Sequence, residues 1–196
     1  MTQASMRQAR KIVALIFILA IAAAAEAGKR DPLTDAEADQ LREVAQEPYK
    51  RLKLLIKFTG ARLDSITQLR ADPKAAEGRG RKIHDLLEDF TALVDELNDN
   101  LDQYQGRPLS KDDRKDFHKG LKELIQAYDQ FDLKLKNLSV AAENDAQSRS
   151  EAADFRFVIQ DAQEALKSSI SLTNEYLSDA DKEPEKKDKD QEKKKH

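Results

Sequence analysis

Three histidines, no cysteine and 37 acidic residues bound the chemistry open to this chain of 196 residues. A di-iron or di-manganese bundle presents Glu-x-x-His from two helices, but Arg81 stands three residues before His84 and Lys115 three before His118. Folding the chain about a turn near residue 107 sets His118 level with residue 96. His84 then lies about 12 residues further along, roughly 18 Å away at the rise of a helix, too far to share a metal ion. There is no Cys-x-x-Cys-His, no His-Glu-x-x-His, no glycine-rich phosphate loop and no Gly-x-Ser-x-Gly elbow. The sequence therefore assigns no catalytic residue, no cofactor-binding residue and no metal ligand, and the expectation is a protein that is not an enzyme.

Charge is the remaining chemistry. Between Ile83 and Gly106 lie Asp85, Glu88, Asp89, Asp95, Glu96, Asp99 and Asp102, without a Lys or Arg. Asp85, Glu88 and Asp89 share a helical face, as do Asp95 and Asp99. One turn of helix offers only two or three ligands where calcium takes six to eight oxygens, so the expectation is a solvated acidic face. From Pro48 to Leu63 the pattern inverts: Lys50, Arg51, Lys53, Lys57 and Arg62 occur with no acid among them. Folding this hairpin about residue 76 places Lys53 level with Asp99, Lys57 with Asp95 and Lys50 with Asp102, which reads as charge matching between adjacent helices. The competing reading is a basic amphipathic helix for an anionic surface, and it makes Lys50, Lys53 and Lys57 a candidate interaction surface. Lys193, Lys194 and Lys195 at the C-terminus are the other candidate. They suit weak contact with anionic membrane headgroups, at about 1 kcal/mol per lysine, or with an acidic partner. A nucleic-acid partner is not expected from a chain of net charge −3.

The elements that carry these residues start with the run Ile12 to Ala25, which follows Arg7, Arg10 and Lys11 and precedes Ala25-Glu26-Ala27. A spanning helix needs about 20 apolar residues, whereas a secretory h-region has about 7 to 15 behind a positive n-region. Residues 1–27 are thus expected to be a signal peptide cleaved before Gly28, with an uncleaved anchor in the inner membrane as the alternative. Export would be across a bacterial inner membrane. The formal charge then moves from −3 to −5, because Arg7, Arg10 and Lys11 leave against Glu26. With no cysteine, no disulfide can hold the exported chain, and a hydrophobic core must.

That core is written in threes and fours. Leu41, Val44, Pro48, Leu52, Leu55, Thr59, Leu63, Ile66 and Leu69 predict a helix over about 34–71, capped by Thr34 and Glu37 and kinked near Pro48. Ile83, Leu86, Leu87, Phe90, Leu93, Val94, Leu97, Leu101 and Tyr104 predict one over 80–105. Phe117, Leu121, Leu124, Tyr128, Phe131, Leu135, Leu138 and Ala142 predict one over 110–144. Phe155, Val158, Ile159, Ala162, Leu166, Ile170, Thr173 and Leu177 predict one over 149–178. The expected fold is all-α: an antiparallel up-down-up-down four-helix bundle with coiled-coil-like packing, over residues 28–180. Residues 181–196 hold seven lysines and six acids with no apolar side chain. They are expected to be a disordered tail.

The stretches "ELNDNLDQ" and "KDFHKGLKEL" resemble pieces of cytochrome b562, a four-helix haem bundle. The resemblance would imply a methionine ligand to the haem iron. Met1 and Met6, the only methionines, both fall in the signal segment, so no haem ligand is assigned. The function expected is a non-enzymatic exported bundle acting by contact with a protein partner, as a binding, scaffold or assembly factor of the envelope. A carrier of a small apolar ligand between the helices, or a signal-anchored protein of the membrane surface, is the alternative.

Overall fold

A computed structural model describes residues 30–193 of the chain except 106–109 and 145, and leaves undescribed the side chains of 146–151 and of residues from 182 onward. All of the described helices belong to one unit, Pro32–His196. The expected signal peptide lies outside the described residues.

Among the described residues the protein is all-α, a helical bundle without a strand. Helix α1 spans Asp35–Glu43 and opens on the expected capping box: Thr34 Oγ1 accepts from the Glu37 amide, and the Glu37 carboxylate accepts from the Thr34 amide at 2.9 Å. Of the kink or split into a lead-in and a main helix that Pro48 predicts, the structure has the split. Helix α2 starts there and runs Pro48–Ala71, since proline at a first helical position lacks only an N–H that would be unpaired anyway. After the 3-10 turn Pro73–Ala75, Gly78 takes φ of 65° and lets the chain reverse into α3, Arg79–Gln105. Helix α4 spans Lys111–Asn144 and α5 spans Ala146–Lys193.

Helix α5 is longer than its apolar stripe. Its backbone stays helical through Lys193, where the sequence pattern predicts disorder from residue 181. Glu, Lys and Gln are strong helix formers, so composition that forbids a core does not forbid a helix. The core nevertheless ends where the stripe ends, at Leu177 among the described side chains.

Contacts fix the directions. Arg51 meets Glu96 and Arg62 meets Asp89, so α2 and α3 are antiparallel. Tyr49 meets Glu123 and Asp64 meets Lys134, so α2 and α4 are parallel. His118 meets Asp181 and Tyr128 lies beside Ser169 and Thr173, so α4 and α5 are antiparallel, and α3 is therefore parallel to α5. Sequence neighbours alternate in direction as expected, but they are not always side by side. The extensive interfaces are α3 with α5, α4 with α5 and α2 with α3; α3 and α4 instead touch across the interior through aromatic rings. Phe90 meets Phe131 edge-on at 5.7 Å and Tyr104 stacks on Phe117 at 4.9 Å. The reason is the width of the α3 stripe. Adjacent buried residues such as Leu93 and Val94 give α3 a wide apolar face, and α2 and α5 cover its two flanks.

Candidate interaction surface

The two candidate lysine groups sit at different places. Lys50, Lys53 and Lys57 form an exposed ridge along α2, spaced three and four apart and turned away from buried Leu52, Leu55 and Thr59. None of them takes the acid expected for it. Lys50 pairs with Glu47 one turn back, and Asp102 accepts from the Tyr176 phenol instead. Lys53 Nζ lies 5.5 Å from the Tyr49 ring centre, and Lys119 Nζ, from α4, lies 5.5 Å from the same ring. Lys57 lies over the Phe58 ring. The Tyr49 hydroxyl donates to Glu123 Oε1 at 2.9 Å, which fixes the ring between the two ammonium groups. Tyr49 lifts the pKa of Lys119, by hydrogen bonding first and by charge second. The second group is split by description: Lys193 ends α5, while Lys194 and Lys195 lie outside the described residues.

Charge matching between α2 and α3 is carried by the arginines. Arg51 donates to Glu96 Oε1 at 2.5 Å, with both side chains partly exposed. A double-mutant cycle on Arg51→Ala and Glu96→Ala should give a coupling of about 0.5 kcal/mol that shrinks with added salt. Urea titration measures it, and additive single effects would show that the pair does not form in solution.

Arg62, one more surface base by its place in the basic run, is only 8% exposed. Its guanidinium forks onto Glu37, with Nη1 to Oε1 at 2.9 Å and Nη2 to Oε2 at 2.6 Å. Nη2 also donates to the Pro32 carbonyl at 2.6 Å, and Nε faces Asp89 at 3.8 Å. This clamp ties α1 to α2 and α3. It is legible in one respect: Arg62 falls three residues after Thr59 and four before Ile66, on the apolar stripe.

Among the described residues, the groups able to hold a metal are His84, Asp85 and Glu88, on the first turns of α3. His84 Nδ1 lies 3.5 Å from Asp85 and 3.6 Å from Glu88. Arg81 stands 3.5 Å from Asp85 and competes for that carboxylate. Glu88 is well exposed, so the trio is a weakly enclosed set of three ligands on one helix. His118 is held elsewhere, 2.8 Å from Asp181 of α5.

Inside the bundle, the hydroxyls of Tyr128, Ser169 and Thr173 are buried together without a hydrogen bond of good geometry. Burial pushes the Tyr128 phenol far above its usual range, and the two neighbouring hydroxyls oppose that shift. Tyr176, nearer the surface, is pushed up to about 12 by burial first and by Asp102 second. The rest of the described interior is mainly aliphatic and aromatic, with Thr59, Arg62, Arg79 and Asn100 buried among those side chains. A polar hollow lined by Gln163, Glu164, Lys167, Ser168 and Ser171 lies on α5 alone. Among the described residues no helix is long and apolar enough to cross a membrane. No protein family, curated protein or solved structure matches the chain.

Proposed function

We propose that this chain is an exported, non-enzymatic four-helix bundle of the bacterial envelope that works by contact, as a binding, scaffold or assembly factor, and that Lys50, Lys53 and Lys57 form its contact face. The observation that supports this reading is the ridge itself. Three lysines at helical spacing stand in solvent, while Glu96 and Asp89 of α3 are engaged by Arg51 and Arg62, Asp102 by Tyr176 and Asp85 by Arg81. Such a ridge favours an acidic protein surface, and fixed positive charge speeds encounter with it at low salt. The signal peptide supplies the route to the envelope in this reading. The lysines at the C-terminus add a second, weaker attraction.

Capture from the native envelope fraction tests it. The double reversal Lys53→Glu and Lys57→Glu should release the partner that the unaltered chain retains, and added salt should do the same. Deleting residues 182–196, which spares the Asp181 contact with His118, should weaken capture slightly and leave the melting temperature unchanged. Equal recovery of partner by the unaltered and charge-reversed chains would reject the ridge as the contact face.

A further inference from the structure

The outer face of α4 carries a second heptad seam that the core does not use. Phe117, Leu121, Leu124, Tyr128, Phe131, Leu135 and Leu138 define its inward side. Opposite them stand Gln126, Gln130, Leu133, Asn137, Val140 and Asn144, spaced alternately four and three, all exposed and none charged. Leu133 is 53% and Val140 56% exposed, two of the three large apolar side chains left in solvent among the described residues. A spacing of this kind is the pattern of a helix that packs along another helix.

The edges of the seam say what that helix is. One edge holds Lys122, Asp129, Lys136 and Glu143, one charge every seventh residue and alternating in sign. The other holds Ala127, Lys134 and Ala141, and its single charge is already bonded to Asp64 of α2 at 2.5 Å. When two identical helices pack in parallel, the charged edge of one faces the alanine edge of the other, and four charges find no partner. When they pack antiparallel, like edges face each other. Centring a two-fold axis between residues 131 and 132 then brings Lys122 to within two residues, about 3 Å along the axis, of Glu143 of the second copy, and Asp129 equally close to Lys136 of the second copy, with both contacts repeated by symmetry. Gln130 falls opposite Leu133 of the second copy and Gln126 opposite Asn137 of the second copy. Alternation in sign at seven-residue spacing is self-complementary only in this arrangement.

We infer that the chain self-associates through α4, as an antiparallel dimer with an isologous interface along Gln126 to Asn144. An internal bond between Lys136 and Asp132, at 2.5 Å, must give way; both side chains are exposed, and an exposed pair of that kind is weak and readily exchanged. The seam lies on a different helix from the lysine ridge and does not depend on it.

Sedimentation velocity across a concentration series of the full-length chain tests it. The unaltered chain should pass from monomer to dimer, less readily in high salt. Lys136→Glu places acid against Asp129 twice per dimer and should weaken association about tenfold. Adding Asp129→Lys to that variant restores opposite signs at every edge contact and should restore association. Leu133→Glu should abolish it, and Lys53→Glu with Lys57→Glu should leave it unchanged. Circular dichroism shows that each variant is folded. The inference is overturned if the unaltered chain stays monomeric throughout, or if the single and double charge variants associate alike, because association through any other part of the chain would treat the two equally.

Discussion

Replacing Arg62 by alanine is expected to destabilise the bundle by about 3 to 5 kcal/mol, more than removal of any exposed charge. The size follows from what is left behind. Glu37 and Asp89 have side chains only 14% and 13% exposed, and the guanidinium faces both. Without it two carboxylates stay in a poorly hydrated site, and the Pro32 carbonyl loses its donor. The Arg62 hydrogen bond is the largest influence on Glu37 and lowers its pKa from 4.5, against burial that raises it. A carboxyl lowered on folding contributes stability that is fully present above about pH 4.5 and is lost as pH falls through the lower folded value. Urea unfolding at neutral pH and again below pH 4.5 should therefore show a large deficit in Arg62→Ala at neutral pH and a smaller one in acid. Equal stability of the two chains at neutral pH would mean that α1 is not held by this clamp.

The same residue shows where the sequence is legible and where it is not. Stripes are readable because a helix repeats every 3.6 residues, and every large apolar residue expected at the centre of α4, from Phe117 to Leu138, is buried. Arg62 lies on the α2 stripe by spacing, yet its charge places it among the surface bases. Its partner Glu37 is 25 positions away in sequence and is already assigned to the capping box. A local pattern can supply the cap but not the second use of the same carboxylate. On α5, Thr173 is legible as part of the apolar stripe and is fully buried, whereas Ser169, which that stripe passes over for Ile170, is fully buried too, beside Tyr128.

Charge register fails in a narrower way. A hairpin about residue 76 pairs residues whose numbers sum to 152; the observed Arg62 to Asp89 contact sums to 151 and Arg51 to Glu96 to 147, an offset of one to five residues that long guanidinium side chains span. The register is thus nearly right, but Lys53 and Lys57 stand on the outward side of α2, over aromatic rings, where the acids of α3 are out of reach. Level position along an axis says nothing about the angle around it. Side-by-side packing is hidden for a related reason: alternating direction follows from short connections, whereas the choice of flank depends on how wide each apolar stripe is, and both α3 and α5 are covered on two flanks.

Cutting Phe131 to alanine is expected to cost about 3 to 5 kcal/mol and Leu124 to alanine about 2 to 5 kcal/mol, against less than about 0.5 kcal/mol for Lys122→Ala. Leu124 is fully buried at the middle of the bundle. Phe131 does more than fill space. Its ring meets Phe90 edge-on and lies 6.2 Å from Tyr128, and it occupies the place where α2 passes close by, over Gly60. A Cβ added at Gly60 would stand 3.2 Å from Phe131 Cε1, so the missing side chain at 60 is what lets the ring seat between α2 and α4. The two positions should therefore couple. Gly60→Ala alone sets a helix-favouring residue against a crowded ring, whereas in the Phe131→Ala background the crowding is gone and only the gain in helix propensity, about 1 kcal/mol, remains. Thermal unfolding of the four chains of this cycle measures the coupling directly. If Gly60→Ala has the same effect in both backgrounds, the ring does not rest on α2, and the packing of α2 against α4 must differ from that described.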